Sequence, residues 1–426
     1  MSASARSIAL AVILRVTEHG GYSNLALRAA LRSANLHQAD RDLATELTYG
    51  SLRRMVSLDW AIERASDRSV RAITPRARAL LRLGAYQLLF MRVPAHAAVS
   101  ETVNLASHGE KGFVNAVLRK LSSAPSEWPS GSDDADIAVR TGLSPWAVGE
   151  LRRIVGPEAE AAAAALGERP PVCIRTNPCR TTTDRLEATL RRAGLDPRRG
   201  GVHAGSLLIE GAAPSSLPGF NEGWFAVQDQ ASAFVVDVLD PRPGESVLDA
   251  CAGPGGKAAD IACRVGAGGR LVVGDVSATR SSLVRRTLGR LGVGGLVLAQ
   301  DARIPAVRGP FDRIVVDAPC SGIGSARRRP ELLWRPSRRD LSRLARLQVS
   351  IASSAAELLR PGGRLVYSVC TFPRAETDAA CDALLAKRPD LEAVPVEGPA
   401  GAAPRVRLWP HRDGTDAMFV AAFRRG

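Results

Sequence analysis

The chain has no apolar run approaching the roughly 20 residues that a membrane-spanning helix needs, so no membrane partner is expected. The short run Ile8 to Leu14 follows a single arginine and flows into a polar helical pattern. It reads as one face of a helix, not as a signal peptide. Cysteine is sparse and odd in number, with 7 in 426 residues. None form a C-x-x-C pair or a Cys/His cluster with zinc spacing, so no metal is expected. A reducing cytoplasm fits this usage, and most of the cysteines are expected to be small buried apolar side chains. Two phosphate-binding signatures are also missing. A P-loop fails because Cys251 stands at its first glycine and Ala258 at its Ser/Thr, and no G-x-G-x-x-G is present. There is no internal repeat.

Basic residues are plentiful. Lysine and arginine number 57 against 43 acidic residues, a net charge of +14. A pI near 10.3 points to a polyanionic partner, the alternative being a solvated basic surface. The length implies two or three domains. Residues 1–125 read as helical, with Leu25, Leu27, Leu31, Leu43, Leu47 and Leu52 at helical spacings. Thr74-Pro75 marks a helix start. Residues 126–138, rich in Ser, Pro, Gly and Asp, read as a linker. Residues 139–222 read as a small α+β module, helical from Pro145 to Leu166, with strands at 172–176 and 206–209 around a helix at 183–193.

From residue 223 to 426 strands and helices alternate, which implies a mostly parallel, doubly wound sheet. Strands are expected at 246–250, 270–275, 295–300, 311–317 and 364–369. A helix is expected over 340–360, stopped by Pro361-Gly362-Gly363. Ligands bind at the C-terminal ends of such strands. The first strand ends in Asp249-Ala250-Cys251-Ala252-Gly253-Pro254-Gly255-Gly256-Lys257. Glycines at a strand-to-helix turn allow close backbone approach to a ligand, and the helix start offers free N–H groups. A plain tight turn would look similar, but Asp249, Asp275, Asp301 and Asp317 close four successive strands. An acidic rim suits a cofactor with a positive sulfonium and a ribose, which points to S-adenosylmethionine.

Two cysteines emerge at the same rim. Cys320 lies in Asp317-Ala318-Pro319-Cys320-Ser321-Gly322, and Cys370 ends Tyr367-Ser368-Val369-Cys370-Thr371. The alternative is a pair of buried structural thiols. Carbon 5 of cytosine is a poor nucleophile until a thiolate adds to carbon 6, so paired thiols point to methylation at that carbon. Asp317 is placed for the base near N3 and N4. Arg327, Arg328, Arg329, Trp334 and Arg335 follow Cys320, and Arg338, Arg339, Arg343 and Arg346 follow them. This cluster beside the rim reads as an RNA contact surface rather than a solvated face.

At these residues the chain resembles the Nop/Sun family of RNA cytosine-5 methyltransferases. The resemblance runs through the cofactor loop, the Asp317–Gly322 stretch, Arg328-Arg329-Pro330, the segment Gly223–Gln230 and Asp413–Asp416. The helical block resembles a NusB-like RNA-binding domain, most clearly at Gly112–Arg119. The resemblance implies a Rossmann-like S-adenosylmethionine methyltransferase domain, with cofactor contacts from Cys251–Lys257, Asp275, Asp301 and Asp317. It implies Cys370 as nucleophile and Cys320 in product release, roles that spacing does not assign. The NusB-like domain implies 16S ribosomal RNA as substrate, and a monomer is expected. A transfer RNA methyltransferase would share the chemistry, and a non-catalytic antitermination-type factor would share the helical domain. The family has Thr before the nucleophilic cysteine where this chain has Val369.

Overall fold

Leucines three and four residues apart build the N-terminal helices, because that spacing places them on one helical face. The computed structural model describes residues 4–124, 127–211 and 213–426. Residues 1–3, Pro125 and Ser126 at the expected linker, and Ala212 of the small module lie outside the described residues. Helices span Ala5–Glu18, Ser23–Ser33, Gln38–Arg53, Met55–Ser66, Pro75–Phe90, Ala95–Asn104 and His108–Ser123. Ile13, Leu47, Leu52, Leu58, Leu80, Leu83 and Leu118 are fully buried among them. The helix starts at Pro75 with Thr74 at the N-cap position, as the sequence implies, although the Thr74 side chain makes no capping hydrogen bond.

The chain divides into two compact units, one of residues 1–169 and 326–336, the other of 170–325 and 337–426. The first boundary therefore falls beyond the expected linker. Helices Asp134–Thr141, Pro145–Val155 and Ala159–Leu166 belong to the first unit. Ser57 donates to the Val139 carbonyl and Arg54 to the Arg140 carbonyl, which ties the first of them to the leucine-rich block. The long helix expected from Pro145 breaks at Gly156-Pro157, where Gly156 has φ +57.

In the second unit a small sheet has strands β1 (Val172–Thr176), β2 (Arg198–Arg199), β3 (Ser206–Ile209) and β4 (Phe225–Val227), in order β2-β3-β1-β4. All its pairings are antiparallel. The large sheet has β5 (Ser246–Asp249), β6 (Arg270–Asp275), β7 (Leu296–Ala299), β8 (Phe311–Asp317), β9 (Leu359–Val369) and β10 (Leu391–Val394). A hairpin, β11 (Val396–Gly398) with β12 (Gly401–Ala403), leads to β13 (Arg405–Leu408) and β14 (Met418–Arg425). The order is β10-β14-β9-β8-β5-β6-β7, with β13 also on β14. β5 to β9 are mutually parallel, and β14 joins antiparallel. The apolar runs Val247-Leu248 and Ile314-Val315-Val316 are buried on both faces, as parallel strands require.

The cysteine expectation needs one correction. Cys179, in the turn after β1, and Cys263, on helix Gly256–Val265, form a disulfide across 84 residues. Separation of that size carries no pairing signal, so spacing could not have shown it. Among the described residues, no helix is long and apolar enough to cross a membrane.

Candidate active site

The chain enters the large sheet at β5, in its middle, winds outward to β7, and returns to β8 on the other side of β5. The carboxyl ends of β6, β5, β8 and β9 thus lie side by side at the point where strand order reverses. Asp249, Asp275, Asp317 and Cys370 stand at or just past these ends.

The loop after β5 lies directly on Asp275. The Gly253 N–H donates to Asp275 Oδ2 at 3.1 Å, and a Cβ built on Gly253 would come within 2.5 Å of that oxygen. Gly255 has φ +104, a backbone conformation that L side chains rarely adopt. Asp275 Oδ1 accepts the Ser277 N–H at 2.9 Å, and Arg280 lies 3.2 Å from Oδ2 while donating to the Gly253 carbonyl. Asp301 turns to Arg303, whose guanidinium holds its carboxyl below the usual range. Two exposed apolar side chains stand near these acids, Val276 at 73% and Ile304 at 80% exposure. Sequence reading passed over both. For Val276 the available cue was an aliphatic residue directly after an acidic strand end, whereas Ile304 lies three residues past Asp301 and carried no such cue.

Asp249 is fully buried, and among the described residues neither carboxylate oxygen has a side-chain hydrogen-bond partner, the Cys251 N–H being its backbone donor. Burial pushes its carboxyl up to about 7, opposed by Lys257 and reinforced by Asp317 and Asp275. Cys251 is half-buried, and its thiol is pushed up by burial and the same acids. Lys257 Nζ donates to Asp317 Oδ2 and to Ser232 Oγ, each at 2.7 Å. Ser368 Oγ donates to Asp317 Oδ1 at 2.9 Å, from the position paired with it across the β8–β9 ladder. Asp317 is thus an oriented carboxylate with a fixed counter-charge.

The two rim thiols meet. Cys320 Sγ lies 3.5 Å from Cys370 Sγ, and both residues are half-buried. The hydrogen bond to Cys370, burial, and the charges of Glu376 and Asp317 all push the Cys320 thiol well up. Val369 is fully buried in the core, so the departure from the family's Thr places an apolar side chain there. Below the thiols lies a polar cluster that sequence reading missed. Glu376 is fully buried, and its Oε1 accepts the Ser321 N–H at 2.8 Å and Gln348 Nε2 at 2.9 Å. Its Oε2 accepts Ser321 Oγ at 2.5 Å, and Ser321 Oγ meets Thr371 Oγ1 at 2.7 Å.

The expected RNA surface needs correction in part. Residues 326–336 belong to the helical unit. Trp334 Nε1 donates to the Leu52 carbonyl at 2.9 Å, and its ring packs on the leucine core. Arg335 donates to the carbonyls of Val16, Gly20 and Gly21, near the end of the first helix. Arg327 is buried, and its carbonyl accepts from Arg53. Internal pairing and burial therefore account for these three residues, which look like a nucleic-acid surface when only their types are read. Arg328 and Arg329 are half-buried. Trp334→Ala is expected to cost the helical unit about 2 kcal/mol through lost packing and an orphaned carbonyl. Hydrogen exchange in helix Gln38–Arg53 would rise accordingly. Unchanged exchange with weakened RNA binding would restore the contact reading.

The family model for 16S rRNA methyltransferase RsmB/F matches residues 236–424. A probable ribosomal RNA small subunit methyltransferase B of Synechocystis is 32% identical over 99% of both chains. The chain belongs to the RsmB/F family. Other matches agree with this placement. A putative methyltransferase of Mycobacterium tuberculosis is 37% identical, covering 99% of this chain and 96% of that one. The NusB family model matches residues 3–123, and an RsmF/B-like ferredoxin-like domain matches 143–216. That last match crosses the boundary at 169, since its first helices pack with the NusB-like unit. The crystal structure of PH0851 shares this chain's fold, with a TM-score of 0.86, 24% identity and full coverage of both chains.

Proposed function

We propose that this protein transfers a methyl group from S-adenosylmethionine to carbon 5 of a cytosine in 16S ribosomal RNA, through a covalent bond between Cys370 and the base. The observation that carries this reading is the contact between two thiols at the ends of β8 and β9. A methyltransferase acting on an exocyclic amine has no use for such a pair.

The residues present fit the cofactor. The buried Asp249 carboxyl beside the glycine loop, which among the described residues has no side-chain hydrogen-bond partner, wants a positive neighbour. Asp275 would hold the ribose hydroxyls, with Val276 and Ile304 flanking the adenine and Asp301 at its edge. Backbone from Cys251 through Ala252, Gly253, Pro254, Gly255 and Gly256 to Lys257 would line the methionine end. When bound, the sulfonium supplies an electrophilic methyl group.

The chain's own residues then do the rest. The Cys320 S–H donates to Cys370, which favours the thiolate there. Cys370 adds to carbon 6, and the displaced electron pair moves to N3 near the Lys257 ammonium. Asp317, fixed in place by Lys257 and Ser368, accepts a hydrogen bond from the 4-amino group and orients the ring. Carbon 5 uses that electron pair to take the methyl group. Cys320, freed of its acceptor, loses its proton to solvent and removes the proton from carbon 5. The carbon 5–carbon 6 double bond re-forms, and Cys370 leaves as thiolate.

Nucleoside mass spectrometry of treated RNAs tests the reading. The expected product is 5-methylcytidine in 16S ribosomal RNA and none in transfer RNA. N4-methylcytidine would overturn the chemistry, and product confined to transfer RNA would overturn the substrate. Arg338, Arg339, Arg343 and Arg346 are exposed on helix Arg338–Glu357 and are the proposed backbone contacts, with Arg328 and Arg329 beside them in sequence. Four single-strand phosphate contacts predict a log–log salt slope of about −3. A slope near zero in a filter-binding titration would count against this surface.

A further inference from the structure

The two catalytic loops are joined one residue past each thiol. Ser321 follows Cys320 and Thr371 follows Cys370, and their hydroxyls meet at 2.7 Å. Glu376 accepts both the backbone N–H and the hydroxyl of Ser321. Gln348, on helix Arg338–Glu357, donates to both Glu376 Oε1 and the Pro319 carbonyl, so the same cluster grips the residue before Cys320. Tyr367 closes it from β9, its hydroxyl bonding the Glu376 carbonyl at 2.7 Å and Gln348 Oε1 at 3.0 Å. Among the described residues, no cation lies within ion-pair distance of this buried carboxylate, and its interactions are hydrogen bonds from the cysteine loops and their support. A buried acid without a paired cation is costly to keep, and burial does push Glu376 upward. Burying an acid here serves the fold poorly but serves geometry well, since one rigid acceptor fixes donors from both loops.

We propose that Glu376 is a positioning residue that holds the Cys320 and Cys370 sulfurs at contact distance through Ser321 and Thr371. Its carboxylate reaches neither thiol in a hydrogen bond. It acts on where they stand. This role rests on the thiol mechanism proposed above, but its test does not depend on which RNA or which carbon is methylated.

The probe is diamide, which takes two electrons and two protons from adjacent thiols to leave a disulfide. Peptide mapping of the full-length protein follows the rate at which a Cys320–Cys370 disulfide forms, separately from the Cys179–Cys263 pair. In Glu376→Ala that rate is expected to fall at least tenfold, and kcat on the order of 10²-fold with KM little changed. Glu376→Gln, which keeps one acceptor, is expected to recover part of both. Ser321→Ala removes only the hydroxyl link and should show the same direction in a folded protein, which covers the case in which Glu376→Ala does not fold. Wild-type cross-linking rates in Glu376→Ala and Ser321→Ala would overturn the proposal, as would a rise in KM at unchanged kcat. If no 5-methylcytidine is made by any form, the mechanism fails while the cross-linking rates still judge Glu376.

Discussion

Cys370→Ser is expected to leave methyl transfer at least about 10⁴-fold below wild type while the protein stays folded. A serine hydroxyl is scarcely ionised at neutral pH and is less polarizable than sulfur, so addition to carbon 6 fails. The side chain is half-buried and of nearly the same size, so packing changes little. Cys320→Ala should behave differently. In the proposed mechanism, addition and methyl transfer need only Cys370, but removal of the carbon 5 proton needs a base at Cys320. The variant should therefore stall with RNA covalently attached, seen as a complex that survives denaturing electrophoresis. Full activity of Cys370→Ser, or equal loss without a complex in both variants, would sink the division of roles.

Asp249→Asn carries the second large effect. The folded protein holds the Asp249 carboxyl at about 7, against an ordinary 3.8. A carboxyl raised in this way favours folding below the lower value, and that contribution is lost as pH rises through the higher one. Above pH 7 the buried charge costs on the order of 2–4 kcal/mol, allowing for what Lys257 offsets. Asparagine removes that charge, so the variant should be more stable than wild type at pH 8 and should lose the advantage near pH 4. It should also bind the cofactor far more weakly, because the counter-charge for the sulfonium is gone. In wild type, cofactor binding near pH 7 should release a proton from Asp249, which calorimetry in buffers of different ionisation enthalpy reads directly. A variant less stable than wild type at pH 8 would contradict the assignment.

Why the rim was readable from sequence, and the rest less so, follows from the range of each interaction. Asp249, Asp275 and Asp317 each sit at the end of an apolar strand, so position and chemistry appear together in a few consecutive residues. The parallel order of β5 to β9 follows from strand–helix alternation. The antiparallel edge does not, because β10 and β13 are only four residues long and carry charged side chains, as in Arg405 and Arg407. Trp334 and Arg335 misled because a tryptophan among arginines has the same composition whether it meets a base or the Leu52 carbonyl. Glu376 was hidden because its partner Ser321 lies 55 residues away. A hydroxyl residue directly after each cysteine was the available hint, and it meant nothing until the loops were seen side by side.

In the proposed mechanism Cys370 bonds to the base and carbon 5 is methylated. This is tested most directly by digesting the Cys320→Ala complex with nuclease and protease and weighing the linked peptide. The expected result is a methylated cytidine attached to the peptide that contains Cys370. A nucleotide on any other residue, or an attached cytidine without the methyl group, would contradict it.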